Sequence, residues 1–324
     1  MVNDAKSGMG RKGISWDQAI ATANEYLPYA EEYDGIYLDF MRGFSKSSGV
    51  PFQDLFTLIC RGERGLCTDI AVNGEATPDG SVYSAHTEDW SSADQKHVVL
   101  VRGKPDKGPS FLVMTLAGLE LVTGLNSAGI SFSGNSLYQN DQRSGVPKMF
   151  VSRRILASER IGDAITAAAP PNRASSYNNN ICHSSGEMYC VEGSATDFSL
   201  LHPNDGYLVH TNHYLDSRMS KFENLFSGPT GKHLGRGADS VVRYHRALNL
   251  IRKNLGNVTV ETLKGILSDH CNSPDSICGH EDSSKPQHER GKTIYAVVSD
   301  LTRLEMHVCL GSPCEGAWKK YSIH

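Results

Sequence analysis

The sequence has no apolar stretch approaching the roughly 20 residues that a bilayer-crossing helix needs, so no membrane span is expected. It also lacks a dominant charge: 32 Lys and Arg stand against 36 Asp and Glu, for a net charge of -4. That balance gives no general pull toward nucleic acid or an anionic membrane surface, and neither partner is expected. The opening MVNDAKSGMGRKGISW has no apolar core of the signal-peptide kind, and the chain reads as cytoplasmic. A reducing compartment makes the eight cysteines, at positions 60, 67, 182, 190, 271, 278, 309 and 314, thiols rather than disulfides. There is no internal repeat and no low-complexity tract. ENLFSGPTGKHLGRG has glycines but not the strand followed by Gly-x-x-x-x-Gly-Lys-Ser/Thr that would cradle a phosphate.

What remains is an ordinary globular composition, 39% hydrophobic and 21% charged over 324 residues, enough for a sizeable core. Ser15 with Gln18 makes a capping box, and DQAIATANEYLPYAEEYDGIYLDFMRGF reads as helices broken at Pro28 and around Gly35. PFQDLFTLICRGERG adds a short helix ending in a turn over Gly62–Gly65. From Cys67 the character changes to short, partly alternating segments (LCTDIAV, SVYSAHTEDW, KHVVLVRG, SFLVMTL, LELVTGLN, AGISFSGNSL), which predict an antiparallel sheet. Helices follow in VPKMFVSRRILAS and IGDAITAAA, then strands in NNICHSSGEMYCVEG, DFSLLHP and GYLVHTNHY. Two amphipathic helices come next, the first entered at Asp239 or Ser240, and a last pair of strands meets across a turn at Leu301–Thr302. Blocks of strands between blocks of helices predict a layered α+β sandwich rather than a doubly wound parallel sheet. Residues 1–13 are expected to be flexible.

Three places hold candidate chemistry. In ERGLCTDIAVNG, Cys67 opens a strand after a glycine-containing turn and is followed by Thr68 and Asp69, a position that can present a thiol at a sheet edge. Free cysteines are more often inert packing, and nothing resembles the surroundings of a papain-like cysteine. In SDHCNSPDSICGH, His270, Cys271, Cys278 and His280 have zinc-ligand chemistry. The six-residue gap between the cysteines is wider than the usual two to four, however, and a loop fixed by Pro274 and Asp275 is the competing reading. In VHTNHY, the Asn212 side-chain NH2 could stabilise an oxyanion, or it could simply cap a strand end.

GLCTDIA, HTEDW, GLNSAGISFSGNSL, VHTNHY, SVVRYHRAL, ILSDHCNSPDSICGH and TIYAVVSDLTRLEMHVCLGSPCEG together resemble the acyl-coenzyme A:6-aminopenicillanic acid acyltransferase (isopenicillin N acyltransferase-like) family of N-terminal nucleophile hydrolases. The resemblance implies a four-layer αββα sandwich made as an inactive precursor. That precursor would cleave itself between Leu66 and Cys67, leaving residues 1–66 as a retained helical small subunit and 67–324 as the catalytic subunit. Carried over by position, Cys67 is the nucleophile, Asp89 holds its freed α-amino group, Asn212 is the oxyanion donor and Thr293 lies near the site. Thr68, Asp69 and His86 are expected to line the substrate pocket. The substrates implied are a small-molecule acyl donor, acyl-coenzyme A among the candidates, and an amine or water acceptor, and the resemblance leaves room for an oligomer. No metal or organic cofactor is required by that chemistry. The alternative reading is a non-catalytic metal-binding or ligand-binding relative using the His270/Cys271/Cys278/His280 loop.

Overall fold

The computed structural model describes residues 1–61, 65–203, 205–228, 231–232 and 235–324. The expected turn over Gly62–Gly65 lies outside the described residues except for Gly65, as does part of ENLFSGPTGKHLGRG. Four helices come first: α1 (Val2–Arg11), α2 (Trp16–Asn24), α3 (Leu27–Ser48) and α4 (Phe52–Ile59). The capping box starts α2 as expected, with Gln18 N–H donating to Ser15 Oγ and Ser15 N–H to Gln18 Oε1. Both expected breaks are present: α2 ends at Asn24 and α3 starts at Leu27 with Pro28 in its first turn, where its missing N–H costs nothing, and the second comes beside Gly35, at Asp34, whose backbone leaves helical geometry. Residues 2–11 are helical rather than irregular. Long-range partners supply what a short helix lacks alone: Lys6 Nζ lies 3.1 Å from Asp54 Oδ2, and His97 Nε2 lies 2.8 Å from Asp4 Oδ2.

Strands β1 (Leu66–Val72), β2 (Tyr83–Ser91), β3 (Val98–Gly103), β4 (Phe111–Leu116), β5 (Glu120–Asn126) and β6 (Ile130–Ser136) follow, then α5 (Lys148–Leu156) and α6 (Ile161–Ala168). Next come β7 (Tyr177–His183), β8 (Met188–Gly193), β9 (Phe198–Leu201), β10 (Tyr207–His210) and the two-residue β11 (Ser227–Gly228) and β12 (Gly231–Lys232). Helices α7 (Gly235–Arg252) and α8 (Val260–Leu267) precede β13 (Gly291–Asp300), β14 (Glu305–Leu310) and β15 (Trp318–Ser322). Helix α7 begins before the expected Asp239 or Ser240, and β15 was not foreseen.

Two antiparallel sheets stack, one in the order β10-β1-β2-β13-β14-β15 and one in the order β3-β4-β5-β6-β7-β8-β9. The period-2 alternation of the strands sorts their side chains into three cores. Leu112 and Met114 join Ala71 and Val297 between the sheets, whereas Val113 faces outward onto Phe56, Phe150 and other residues of the α2–α6 layer. On the first sheet, Ile70, Val72, Ala296 and Val298 turn the other way onto Ala247 and Ile251 of α7 and Leu263 and Leu267 of α8. The result is helices, sheet, sheet, helices, a four-layer αββα sandwich in which β1 is flanked by strands on both sides.

Candidate active site

The register of β1 with β2 pairs Leu66 with Asp89, Cys67 with Glu88, Thr68 with Thr87 and Asp69 with His86. Alternation therefore turns Cys67, Asp69, His86 and Glu88 toward the space between the sheets. Leu66, Thr68 and Asp89 turn toward the α7 side. Strand β13 lies along β2 with a bulge between Thr293 and Tyr295. The extra residue puts Thr293 opposite Asp89 and Tyr295 opposite Glu88, so two side chains that would otherwise share a face reach opposite ones.

Around Cys67, which is 1% exposed, three groups converge. Its backbone N–H donates to Asn212 Oδ1 at 2.9 Å, its Sγ lies 3.6 Å from Glu88 Oε1, and its carbonyl accepts from Arg243 Nη1 at 2.5 Å. The same guanidinium donates to Thr68 Oγ1 at 3.0 Å and to Asn212 Oδ1 at 2.8 Å. Two donors on Oδ1 fix the orientation of the Asn212 amide. One of the two N–H groups of Nδ2 donates to the Ser136 carbonyl at 3.1 Å. Behind the thiol, His86 Nδ1 lies 2.7 Å from Asp69 Oδ1 and its Nε2 2.9 Å from Glu88 Oε2, while Tyr295 OH stands 3.4 Å from Glu88 Oε2.

The charges follow from this enclosure. Burial, then the nearby Glu88, Asp89 and Asp69 carboxylates, push the Cys67 thiol well above its ordinary range. Burial disfavours a charged His86, yet Asp69 and Glu88 on either side outweigh it, and its pKa is pushed up to about 10. Burial also raises Glu88, against the pull of His86. On the opposite face burial raises Asp89 to about 7, although Arg243 and the 2.5 Å hydrogen bond from Thr293 Oγ1 work against it. Thr293 Oγ1 in turn accepts the Gly279 N–H at 2.8 Å.

A cavity of about 650 Å³ opens on that face, with Leu66, Asp89, Trp90, Arg243, Gly279 and His280 among the residues on its wall. The four residues expected in catalytic roles fall into two pairs: Cys67 bonds Asn212, and Asp89, paired across the strands with Leu66, bonds Thr293. Asp69 and His86, expected on the substrate pocket, instead lie under Cys67 between the sheets, 0% and 1% exposed, because alternation carries them away from the cavity. Thr68 is equally buried and binds Arg243. Sequence reasoning missed Glu88 and Arg243. The signal for Arg243 was present: with Ser240, Ala247 and Ile251 it falls at helical spacing on the buried stripe of α7, where a fully buried arginine needs a buried job.

The His270, Cys278 and His280 side chains do meet, but with Cys314 as the fourth member. Cys271 is exposed and outside the group. It follows Asp269 at the turn, where its N–H bonds Asp269 Oδ1, whereas the turn after β14 brings Cys314 in.

A family model described as acyl-coenzyme A:6-aminopenicillanic acid acyl-transferase matches residues 76–315, beginning after Cys67 and including Asp89, Asn212, Arg243 and Thr293. The acyl-coenzyme A:6-aminopenicillanic-acid-acyltransferase 40 kDa form of Emericella nidulans is 26% identical over 239 residues, 73% of this chain. The chain spans 63% of that relative's length. Among solved structures, a variant of conjugated bile acid hydrolase from Clostridium perfringens is similar with a TM-score of 0.51 at 13% identity, covering 79% of this chain and 97% of that one. The N-acylethanolamine-hydrolyzing acid amidase ortholog of Caenorhabditis elegans has a TM-score of 0.51 at 14% identity, over 73% and 93% of the two chains. The fold is that of the N-terminal nucleophile hydrolases.

Proposed function

The chain belongs to the acyl-coenzyme A:6-aminopenicillanic acid acyl-transferase family, and from that premise we propose that it is a self-processing cysteine amidohydrolase or acyltransferase whose nucleophile is Cys67. One observation carries the reading: the thiol, the amide nitrogen and the carbonyl of this one residue are met by Glu88, Asn212 and Arg243 respectively.

In the uncut chain the Cys67 thiol attacks the Leu66 carbonyl carbon. Glu88, whose Oε1 lies 3.6 Å from Sγ, takes the thiol proton, and His86 on its other oxygen works against the burial that would otherwise keep Glu88 protonated. As the new C–S bond forms, the C–N bond to Cys67 breaks and its nitrogen gains a proton. Water then hydrolyses the thioester, leaving a carboxylate on Leu66 and a free thiol and α-amine on Cys67. Residues 1–66 remain bound as the small subunit, since Tyr37, Leu38, Phe56 and Ile59 share one core with the second sheet and with α5 and α6.

The new α-amino group arises where the amide nitrogen was, 2.9 Å from Asn212 Oδ1. Its reference pKa of about 7.7 to 8.0 lies near that of a thiol, about 8.5, so the residue carries its own base. With Leu66 displaced, Asp89 faces the terminus from the cavity wall and holds it, itself aligned by Thr293. A substrate acyl group from an amide or thioester then forms an S-acyl Cys67. The second N–H of Asn212 Nδ2 is the donor this reading gives to the oxyanion, an interaction whose loss typically costs about 2.7 to 4 kcal/mol. An amine or water resolves the acyl-enzyme. Acyl-coenzyme A fits this scheme as a donor, and coenzyme A is then a carrier rather than a cofactor.

Intact-mass spectrometry of the purified protein beside Cys67→Ala tests the reading. Two fragments divided between Leu66 and Cys67 in the parent, with the variant whole, are expected; a parent that stays whole on incubation refutes self-processing.

A further inference from the structure

His270, Cys278, His280 and Cys314 come from two loops, one after α8 and one between β14 and β15, and their donor atoms lie within 4.8 Å of one another. His270 Nε2 is 3.0 Å from His280 Nε2, Cys278 Sγ is 3.5 Å from Cys314 Sγ, and His280 Nε2 is 3.5 and 3.4 Å from the two sulfurs. A tetrahedron built on Zn–S of about 2.3 Å and Zn–N of about 2.05 Å has edges of about 3.8 Å (S to S), 3.5 Å (S to N) and 3.3 Å (N to N). Four of the six edges already stand within about 0.3 Å of those lengths, and the other two, from His270 to the sulfurs, are no longer than 4.8 Å. A disulfide does not account for the arrangement, since its sulfurs would be about 2.05 Å apart and both cysteines are free thiols.

We infer that these four residues bind one zinc ion in a closed Cys2His2 site that staples the loop after α8 to the β14–β15 turn. Four protein ligands leave no open position, the mark of a structural rather than a catalytic zinc. His270 and Cys314 are exposed, giving the ion a way in, and the exposed Glu315 carboxylate lies 4.0 Å from His280 Nδ1, the ring nitrogen away from the metal.

The staple has a functional address. Gly279 sits between two of the ligands and holds Thr293 at both ends, giving its N–H to Oγ1 and accepting the Thr293 N–H on its carbonyl at 3.1 Å. Ser312 Oγ, from the other stapled segment, reaches the same carbonyl at 3.4 Å. A Cβ on residue 279 would stand 3.4 Å from Thr293 Oγ1 and 3.5 Å from Asp89 Oδ1. Fixing Cys278 and His280 therefore fixes Thr293, and through it Asp89.

The test reads metal content, which is independent of whether Cys67 turns over any substrate. Full-length protein purified with reductant and without chelator is measured for zinc beside Cys314→Ser and Cys271→Ser. About one zinc per chain in the parent and in Cys271→Ser, and its loss in Cys314→Ser, is expected. Because a ligand variant can misfold, the parent is also stripped and reloaded with cobalt(II), which gives thiolate charge-transfer bands and intense tetrahedral d–d bands if the site is S2N2. Protein that holds no zinc and gives no such spectrum, or zinc that depends on Cys271 and not Cys314, overturns the inference.

Discussion

Replacing Arg243 by lysine isolates what the guanidinium does, because the charge stays and the fork goes. Arg243 uses Nη1 on the Cys67 carbonyl and Thr68 Oγ1, and Nη2 on Asn212 Oδ1. A single ammonium cannot stand at both nitrogen positions, so at least one buried acceptor loses a charged donor, at about 1.5–3 kcal/mol per hydrogen bond. We take about 3 kcal/mol as the expected loss of stability. Unfolding entropy of about 2.1 cal/mol/K per residue over 324 residues gives about 0.7 kcal/mol/K, hence a fall in Tm of about 4 °C. The measurement belongs in the uncuttable Cys67→Ala background, so that cleavage does not enter. In the active background, time-resolved intact mass should show self-cleavage slowed by tenfold or more, since the same fork sets the Cys67 peptide in place. An unchanged Tm together with unchanged cleavage would refute the role given to Arg243.

Glu88→Gln removes the acceptor for the thiol proton; cleavage of the uncut chain should slow by roughly 10²- to 10⁴-fold, the usual contribution of a general base, and a normal cleavage rate by mass spectrometry would transfer that role elsewhere. The raised pKa of His86 has a defined sign: its stabilisation is fully present below the unfolded value of about 6.5 and is lost as pH rises toward about 10. Thermal unfolding of uncut Cys67→Ala should therefore weaken across that window by up to about 1.4 kcal/mol per pH unit, and the dependence should be markedly smaller in the additional His86→Gln variant. Gly65→Ala drives a Cβ into the Trp90 ring and to 2.8 Å from the Asp89 carbonyl, at a φ of +76°, so it should displace the scissile bond and stall cleavage. Gly43→Ala, on α3 with nothing within 4 Å of the new Cβ, is the control and should cleave at the parent rate.

The strands around the site were legible because their sequences alternate, and alternation is local: the pattern of LCTDIAV predicts a strand without knowing its neighbours. The same locality explains the misses. Which face His86 and Asp69 take relative to the cavity depends on which side of the sheet α7 covers, and that is set by residues over a hundred positions away. Cys271 drew attention over Cys314 because it is close in sequence to the histidines, whereas the turn that delivers Cys314 follows two intervening strands. Arg243 lay on a recognisable helix, and only its place on the apolar stripe, among residues that should not be charged, marked it. The bulge after Thr293, which sends Thr293 and Tyr295 to opposite faces, leaves no trace in TIYAVVSD.

If the bond before Cys67 is cut as proposed, the core shared by α2–α4 with the second sheet changes the kind of equilibrium that governs the protein. The uncut chain folds by a unimolecular process that dilution does not affect. The mature pair would have to reassemble from two molecules, so its recovery from heat or denaturant depends on concentration and competes with aggregation of the parted chains. On the proposed cleavage, folding would have to be finished before the cut, and afterwards the lifetime of the mature pair would be set by the rate at which that core opens rather than by a balance with the unfolded state.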